Sequence, residues 1–261
     1  MDVGIAETAA HAASIAADLI ERAARAKPEV VLGLATGSSP VGIYDELAHR
    51  IGDGKFSLAA ASAFMLDEYV GLPPDHPQAY RFVIDEIFTR KVDIDPDHVH
   101  GPDGTAKDVE AACVDYEQAI RAAGGIDLQI LGIGTDGHIA FNEPTSSLAS
   151  RTRIKTLTRQ TRIDNSRFFD GHLDAVPSHC LTQGIGTILE SQKIILVAAG
   201  GAKAEAIRQT IEGPVNAMWP ATALQLHPDV TVLVDPAAAS RLDLVDYYRE
   251  VWANKPDWQR P

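Results

Sequence analysis

Cysteine is scarce: Cys113 and Cys180 stand far apart and outside any Cys-x-x-Cys spacing. That excludes a disulfide framework and a thiol redox motif, and it fits a reduced compartment. No stretch approaches the roughly 20 apolar residues of a membrane span, and Met-Asp-Val-Gly-Ile opens the chain without a basic, apolar leader. Basic charge is also short. With Lys+Arg 23 against Asp+Glu 36 the net charge is −13, which argues against non-specific binding to nucleic acid or anionic membrane. A His-Glu-x-x-His zinc motif, a Gly-Lys-Ser/Thr Walker loop, internal repeats and low-complexity linkers are all missing. The expectation is a soluble, unprocessed cytoplasmic protein that catches any anionic ligand with a local cluster of donors.

What is present is an alternation of buried-strand and helix signals over 261 residues, enough for one α/β domain with a smaller excursion. Residues 2–6 read as a weak first strand, weakened by Asp2 and Gly4. Apolar residues at Ala12, Ile15, Ala16, Leu19, Ile20 and Ala23 predict an amphipathic helix over 7–27. Short apolar runs predict strands at 30–35, 59–66, 126–133, 194–199 and 230–234. Helices are predicted at 41–51, 78–92, 106–122, 181–190 and 236–252, with a loop over 94–104. Residues 145–182 carry Arg151, Arg153, Lys155, Arg159, Arg162 and Arg167 with no clean period, which suits a lid or an interface element. The fold class expected is an open, doubly wound, mostly parallel sheet with helices on both faces and a lid-like excursion.

Chemistry concentrates where strands end. The run 126–133 stops at Gly134-Thr135-Asp136-Gly137-His138-Ile139-Ala140-Phe141-Asn142-Glu143-Pro144, packing Asp136, His138 and Glu143 within eight residues. Ligands in open α/β sheets bind beyond the carboxyl ends of strands, and a His oriented by a carboxylate is the commonest general acid or base. By itself the triplet reads equally as a solvated loop. Thr36-Gly37-Ser38-Ser39-Pro40, between a strand and a helix start, is either a phosphate cradle or a tight turn with a capping serine. Asp67-Glu68 at the end of the next strand are solvated acids, a cap, or a catalytic base. Gly200-Gly201-Ala202-Lys203 repeats the strand, glycine loop, helix arrangement.

Taken together, Gly33 to Pro40, Leu66-Asp67-Glu68-Tyr69-Val70-Gly71-Leu72, Gly132 to Pro144 and Ser147 to Arg153 resemble the glucosamine-6-phosphate deaminase family over nearly the whole chain. The related 6-phosphogluconolactonases share the Gly-Asp-Gly-His type of loop, but Phe141-Asn142-Glu143-Pro144 and the Asp67 to Leu72 motif look like the deaminase branch. The resemblance implies conversion of glucosamine 6-phosphate and water to fructose 6-phosphate and ammonia, in amino-sugar catabolism, without cofactor or metal. It implies Asp67 as the base at C2, His138 as the group assisting ring opening, and Asp136 and Glu143 as residues that hold and polarise His138. It implies phosphate contacts from Thr36, Gly37, Ser38, Ser39, Arg167 and Lys203. Ser146, Arg153, Lys155 and Thr156 match positions that bind N-acetylglucosamine 6-phosphate between subunits of allosteric members, so a homo-oligomer is expected. Ser38-Ser39 departs from the Gly-Gly-Thr or Gly-Ser-Thr of many members, keeping hydroxyls in a less permissive loop. A sugar-phosphate lactone hydrolase, with less use for Asp67, and a non-catalytic sugar-phosphate sensor are the alternatives.

Overall fold

The computed structural model describes residues 1–256 and 259. Its strands are β1 (Asp2–Ile5), β2 (Val31–Leu34), β3 (Ser62–Met65), β4 (Asp67–Tyr69), β5 (Val99–His100), β6 (Leu128–Leu131), β7 (Arg153–Thr156), β8 (His179–Thr182), β9 (Lys193–Ala198) and β10 (Val230–Val234). Its helices are α1 (Ala9–Ala26), α2 (Ser38–Gly52), α3 (Tyr80–Ile84), α4 (Val109–Ala122), α5 (Arg159–Ser166), α6 (Ile185–Ile188), α7 (Ala204–Glu212) and α8 (Val245–Ala253). Seven strands form one sheet in the order β1-β10-β9-β6-β2-β3-β5, every neighbouring pair parallel. A separate antiparallel sheet runs β4-β8-β7.

Both faces of the large sheet are covered, as a parallel sheet requires, and successive strand residues alternate between two cores. Leu32, Leu34, Leu128, Ile130, Ile195 and Val197 pack with α1 and α2. Leu131, Ile194, Leu196, Ala198, Val232 and Val234 pack on the other face with α6, α7 and the turn at Pro220–Leu226. The weak first strand is an edge strand, where Asp2 can reach Lys255 Nζ at 2.6 Å. The β2–β6 pair is parallel, but the order in which strands are added reverses between them: from β2 the sheet grows through β3 to β5, and from β6 through β9 to β10 in the opposite direction. Loops leaving the two strands diverge there and open the crevice in which such sheets bind ligands.

Several predicted boundaries move. The helix expected over 181–190 shrinks to α6, because Leu181 and Thr182 are claimed by the middle strand of the small sheet. The helix expected over 236–252 begins only at Val245; Glu212 takes the backbone N–H groups of Asp243 and Leu244 and sets a turn before it. The helix after the glycine loop starts at Ser38, three residues before the expected Val41. The predicted helix over 78–92 is α3 continued by a π-helical turn, Asp85–Thr89. The loop over 94–104 contributes the two-residue strand β5.

Candidate active site

Four adjacent strands, β9, β6, β2 and β3, deliver the predicted groups to one rim of the sheet. The β2 loop brings Thr36 to Ser39. Gly37 has φ +101° with open space around it, so the chain turns into α2 through a conformation that favours glycine. No side chain caps α2, and the N–H groups of its first turn stay available to an anion, with Ser38 exposed beside them.

Asp67 follows β3 and opens β4, buried and opposite Thr182. Burial first, then the charge of Glu68, pushes its carboxyl well above the usual carboxylate range. Tyr69, Tyr80 and Cys180 surround it closely enough for its charge to raise each of their hydroxyls or thiol further, on top of burial. Glu68, the second acid, is a cap. Its carboxylate accepts the backbone N–H groups of Tyr69 (2.7 Å), Tyr80 (2.9 Å) and Arg81 (2.7 Å), fixing the start of α3.

The β6 loop brings the His group. His138 Nδ1 lies 2.7 Å from Asp136 Oδ1, off the ring N–H axis, a close polar contact rather than a linear hydrogen bond. The His138 backbone N–H also donates to that oxygen, at 3.2 Å. Burial pushes the Asp136 carboxyl up, but these His138 contacts outweigh it and hold the carboxyl below its ordinary value. The imidazole lies on the Gly134 backbone so tightly that a Cβ there would fall 2.2 Å from the ring. The segment then tightens: Ala140 (φ 51°) and Thr145 (φ 74°) both sit in the left-handed region, unusual for a β-branched residue such as Thr145. Asn142, fully buried, holds the turn by donating to Ile139 O (3.0 Å) and Gln183 O (2.9 Å).

Glu143 is buried, and the structure turns it toward the excursion. Thr158 Oγ1 donates to its Oε1 at 3.2 Å and Thr161 Oγ1 donates to the same oxygen. Among the described residues it makes no hydrogen bond to His138, whose carboxylate neighbour is Asp136. Burial first, then the charges of Asp67 and Glu143, push the Cys180 thiol up.

The basic groups come from two directions. Lys203 ends the β9 glycine loop, whose Gly200 N–H is held by Asp235 (3.0 and 3.1 Å). Burial lowers its pKa, opposed by Asp136 and reinforced by the Arg167 charge, so Lys203 lies within electrostatic reach of both. Lys203 is also the N-cap residue of α7, and a cation at a helix N-terminus suits an anion. Arg167 is the C-cap residue of α5, exposed, with its guanidinium 4.7 Å from the Phe168 ring.

Arg153 and Lys155 belong to β7, an edge strand of the small sheet. Arg153 pairs across Thr182, which pairs in turn with Asp67; Lys155 pairs across Cys180, which pairs with Tyr69. Burial lowers the Arg153 pKa, and no carboxylate of a described side chain pairs with it. Thr156 is exposed at the far end of β7, and Ser146 is buried with its Oγ lacking a described partner. Among the described residues no three His, Cys, Asp or Glu side chains converge as a metal site, and no helix is long and apolar enough to cross a membrane. Sequence reasoning missed Thr158, Thr161 and Asp235. The Thr-x-x-Thr at the α5 start is a capping signal that could have located the first two.

With this geometry, a family model described as glucosamine-6-phosphate isomerases/6-phosphogluconolactonase matches residues 5–233. A glucosamine-6-phosphate deaminase of Beutenbergia cavernae is 66% identical over 259 residues, covering 99% of each chain. One of Mycolicibacterium smegmatis is 63% identical over the same length, again covering 99% of each. A solved structure described as a monomeric glucosamine-6-phosphate deaminase superposes with a TM-score of 0.89 at 44% identity, over 92% of this chain and 100% of that one. The 6-phosphogluconolactonase of Trypanosoma brucei, 19% identical with a TM-score of 0.73 over 92% of this chain and 98% of that one, shares the fold. The chain belongs to the glucosamine-6-phosphate isomerase/6-phosphogluconolactonase family.

Proposed function

We infer that this protein is a glucosamine-6-phosphate deaminase, converting glucosamine 6-phosphate and water to fructose 6-phosphate and ammonia. The observation that carries the reading is the pairing, on one rim, of a desolvated carboxylate at Asp67 with the Asp136–His138 contact and with Lys203, which feels the charges of both Asp136 and Arg167. A lactone hydrolase needs an activated water but has little use for a buried carbon base. An aldose-to-ketose deaminase needs one, and a carboxyl whose basicity is raised by burial suits it. Relatives named as deaminases at 66% and 63% identity support the same choice.

In this reading the phosphate is held by the N–H groups and hydroxyls of Thr36 to Ser39, by Lys203 and by Arg167. Charge-assisted hydrogen bonds, each worth about 1.5–3 kcal/mol, outweigh the roughly 0.3–1 kcal/mol of an exposed helix terminus. His138, its orientation set by Asp136, moves a proton at the ring oxygen as the sugar opens. Asp67 takes the C2 proton and returns one at C1, and water replaces the nitrogen at C2 as ammonia leaves. Residues 145–182 serve as a lid over the rim.

The setting we propose is cytoplasmic amino-sugar catabolism, N-acetylglucosamine breakdown included. We further propose a homo-oligomer in which Ser146, Arg153, Lys155 and Thr156 bind N-acetylglucosamine 6-phosphate. Coupled assays for ammonia and fructose 6-phosphate, run with and without a chelator, test the central activity. Equal release of both products, unaffected by the chelator, is expected. Hydrolysis of 6-phosphogluconolactone without ammonia release, or activity restored only by a divalent ion, would overturn it.

A further inference from the structure

Helix α5 touches the candidate site at both ends. Thr158, its N-cap, accepts the Thr161 N–H at 3.1 Å, which is ordinary capping. Capping does not require the hydroxyl of Thr161 to leave the helix, yet it donates to Glu143 Oε1, as does the Thr158 hydroxyl, and the two hydroxyls lie 2.9 Å apart. The eight helical residues span about 12 Å, and the next residue is Arg167. Between the ends, Asn165 Nδ2 donates to Tyr69 Oη at 2.9 Å, and Arg162 donates to Val176 O and Leu173 O, binding the helix to the small sheet and its return loop. One short rigid element thus carries a phosphate-site cation at one end and grips a catalytic-loop carboxylate at the other.

We propose that Thr158 and Thr161 are positioning residues: their hydroxyls hold Oε1 of Glu143 and tie it to the helix that bears Arg167, so that phosphate capture sets the catalytic loop. Glu143 and Arg167 take their roles here from the deaminase reading. Both hydroxyls go to Oε1, which leaves Oε2 as the oxygen with no described donor and therefore the one open to substrate. A loose α5 would leave Glu143 buried with its only described donors gone, and the segment between Gly134 and Ser146, already bent through Ala140 and Thr145, would relax.

The test uses full-length Thr161→Val, which removes one hydroxyl while Thr158 still caps the helix, and Thr161→Ser, which restores it. In steady state with glucosamine 6-phosphate, Thr161→Val is expected to lower kcat by about tenfold with KM within about threefold, and Thr161→Ser to return kcat to within about twofold of wild type. A purely structural loss would not be repaired by serine, and a loss of phosphate affinity would move KM instead. Independently of turnover, amide hydrogen exchange is followed over residues 134–146 with and without inorganic phosphate. Phosphate is expected to slow exchange there by about tenfold in wild type and Thr161→Ser, and not in Thr161→Val. Wild-type kcat together with wild-type phosphate protection in Thr161→Val, or a serine variant as impaired as valine, would overturn the proposal. If wild-type protein releases no ammonia the deaminase reading fails alone, and the exchange comparison still decides whether α5 holds the loop.

Discussion

Two clusters of charge in this molecule are built on opposite principles. Between α1 and α2, Arg50 is buried and meets Asp18 at 2.6 Å, Glu46 at 2.8 Å, Glu21 at 3.1 Å, and the Ser14 oxygens at 3.1 and 3.2 Å. Burial alone would disfavour the guanidinium, but these carboxylates outweigh it and raise the Arg50 pKa. For three groups at the rim of the large sheet and on β7, burial prevails instead. Asp67 is pushed toward its neutral form and Lys203 and Arg153 toward theirs, and none of the three forms an ion pair with a described side chain. A cluster that completes itself holds two helices together. One that leaves its charges unmatched has kept its electrostatic interactions for a ligand.

The sharpest break in that contrast is Asp67→Asn, which keeps the shape and removes the base. It is expected to lower kcat by about 10²- to 10⁴-fold with substrate affinity within about tenfold. Stability should respond with the opposite sign. Folding raises the Asp67 pKa, so the wild type holds its full stability below the ordinary carboxyl pKa and loses part of it as pH climbs through the folded value. The asparagine variant should therefore melt higher than wild type at neutral pH, with the gap closing in acid, as pH-dependent thermal melts would reveal. A neutral-pH melt lower than wild type would contradict the unmatched-charge view.

Next in size is Gly134→Ala. A Cβ 2.2 Å from the His138 ring must displace the imidazole, and an active-site displacement of about 1 Å can cost on the order of 10²-fold in rate. Kinetics alongside far-ultraviolet circular dichroism would separate a displaced His138 from a lost fold, and unaltered kcat would remove His138 from the chemistry.

How much of this was legible beforehand follows the same division. The apolar runs that became β2, β3, β6, β9 and β10 were readable because both faces of a parallel strand are buried. Each of the four rim loops was visible as glycine or paired acids directly after such a run. The small sheet was not. In β7 the alternation Arg153, Ile154, Lys155, Thr156 puts long charged side chains on the half-buried face and an apolar one outside, the reverse of an ordinary amphipathic strand. β7 pairs with β8 only across α5 and its return loop, and β8 pairs in turn with β4 from far earlier in the chain, so no local signal announces the sheet. Glu68 and Asp67 are chemically alike and adjacent; only the three N–H groups converging on Glu68 separate the cap from the candidate base. Glu143 was readable as a loop acid, but not its grip on Thr158 and Thr161, which depends on where α5 folds back.

On the other side of the comparison, Arg50→Met should destabilise by about 1–3 kcal/mol, since it strands carboxylates that are partly open to solvent. Its kcat and KM should stay at wild-type values. Denaturant titration with parallel kinetics would check both, and a change in KM would tie the two clusters together. The smallest expected effect concerns β7. Arg153→Ala with Lys155→Ala should abolish a shift of about fivefold in half-saturating substrate produced by N-acetylglucosamine 6-phosphate, leaving basal kcat in place. Light scattering of the wild type, with substrate titrations in both conditions, decides the matter; a monomer, or identical titrations, would defeat the regulatory proposal.

The most direct probe of the rim is proton exchange at C2. Glucosamine 6-phosphate is incubated with wild-type protein and with Asp67→Asn in deuterated water, and recovered sugar phosphates are read by NMR. Wild type should release ammonia and wash solvent deuterium into the carbons between which the proton moves, and Asp67→Asn should bind the sugar phosphate without doing either. Exchange at the wild-type rate in Asp67→Asn would mean that another group moves the C2 proton and that the buried charge at Asp67 is not the catalyst.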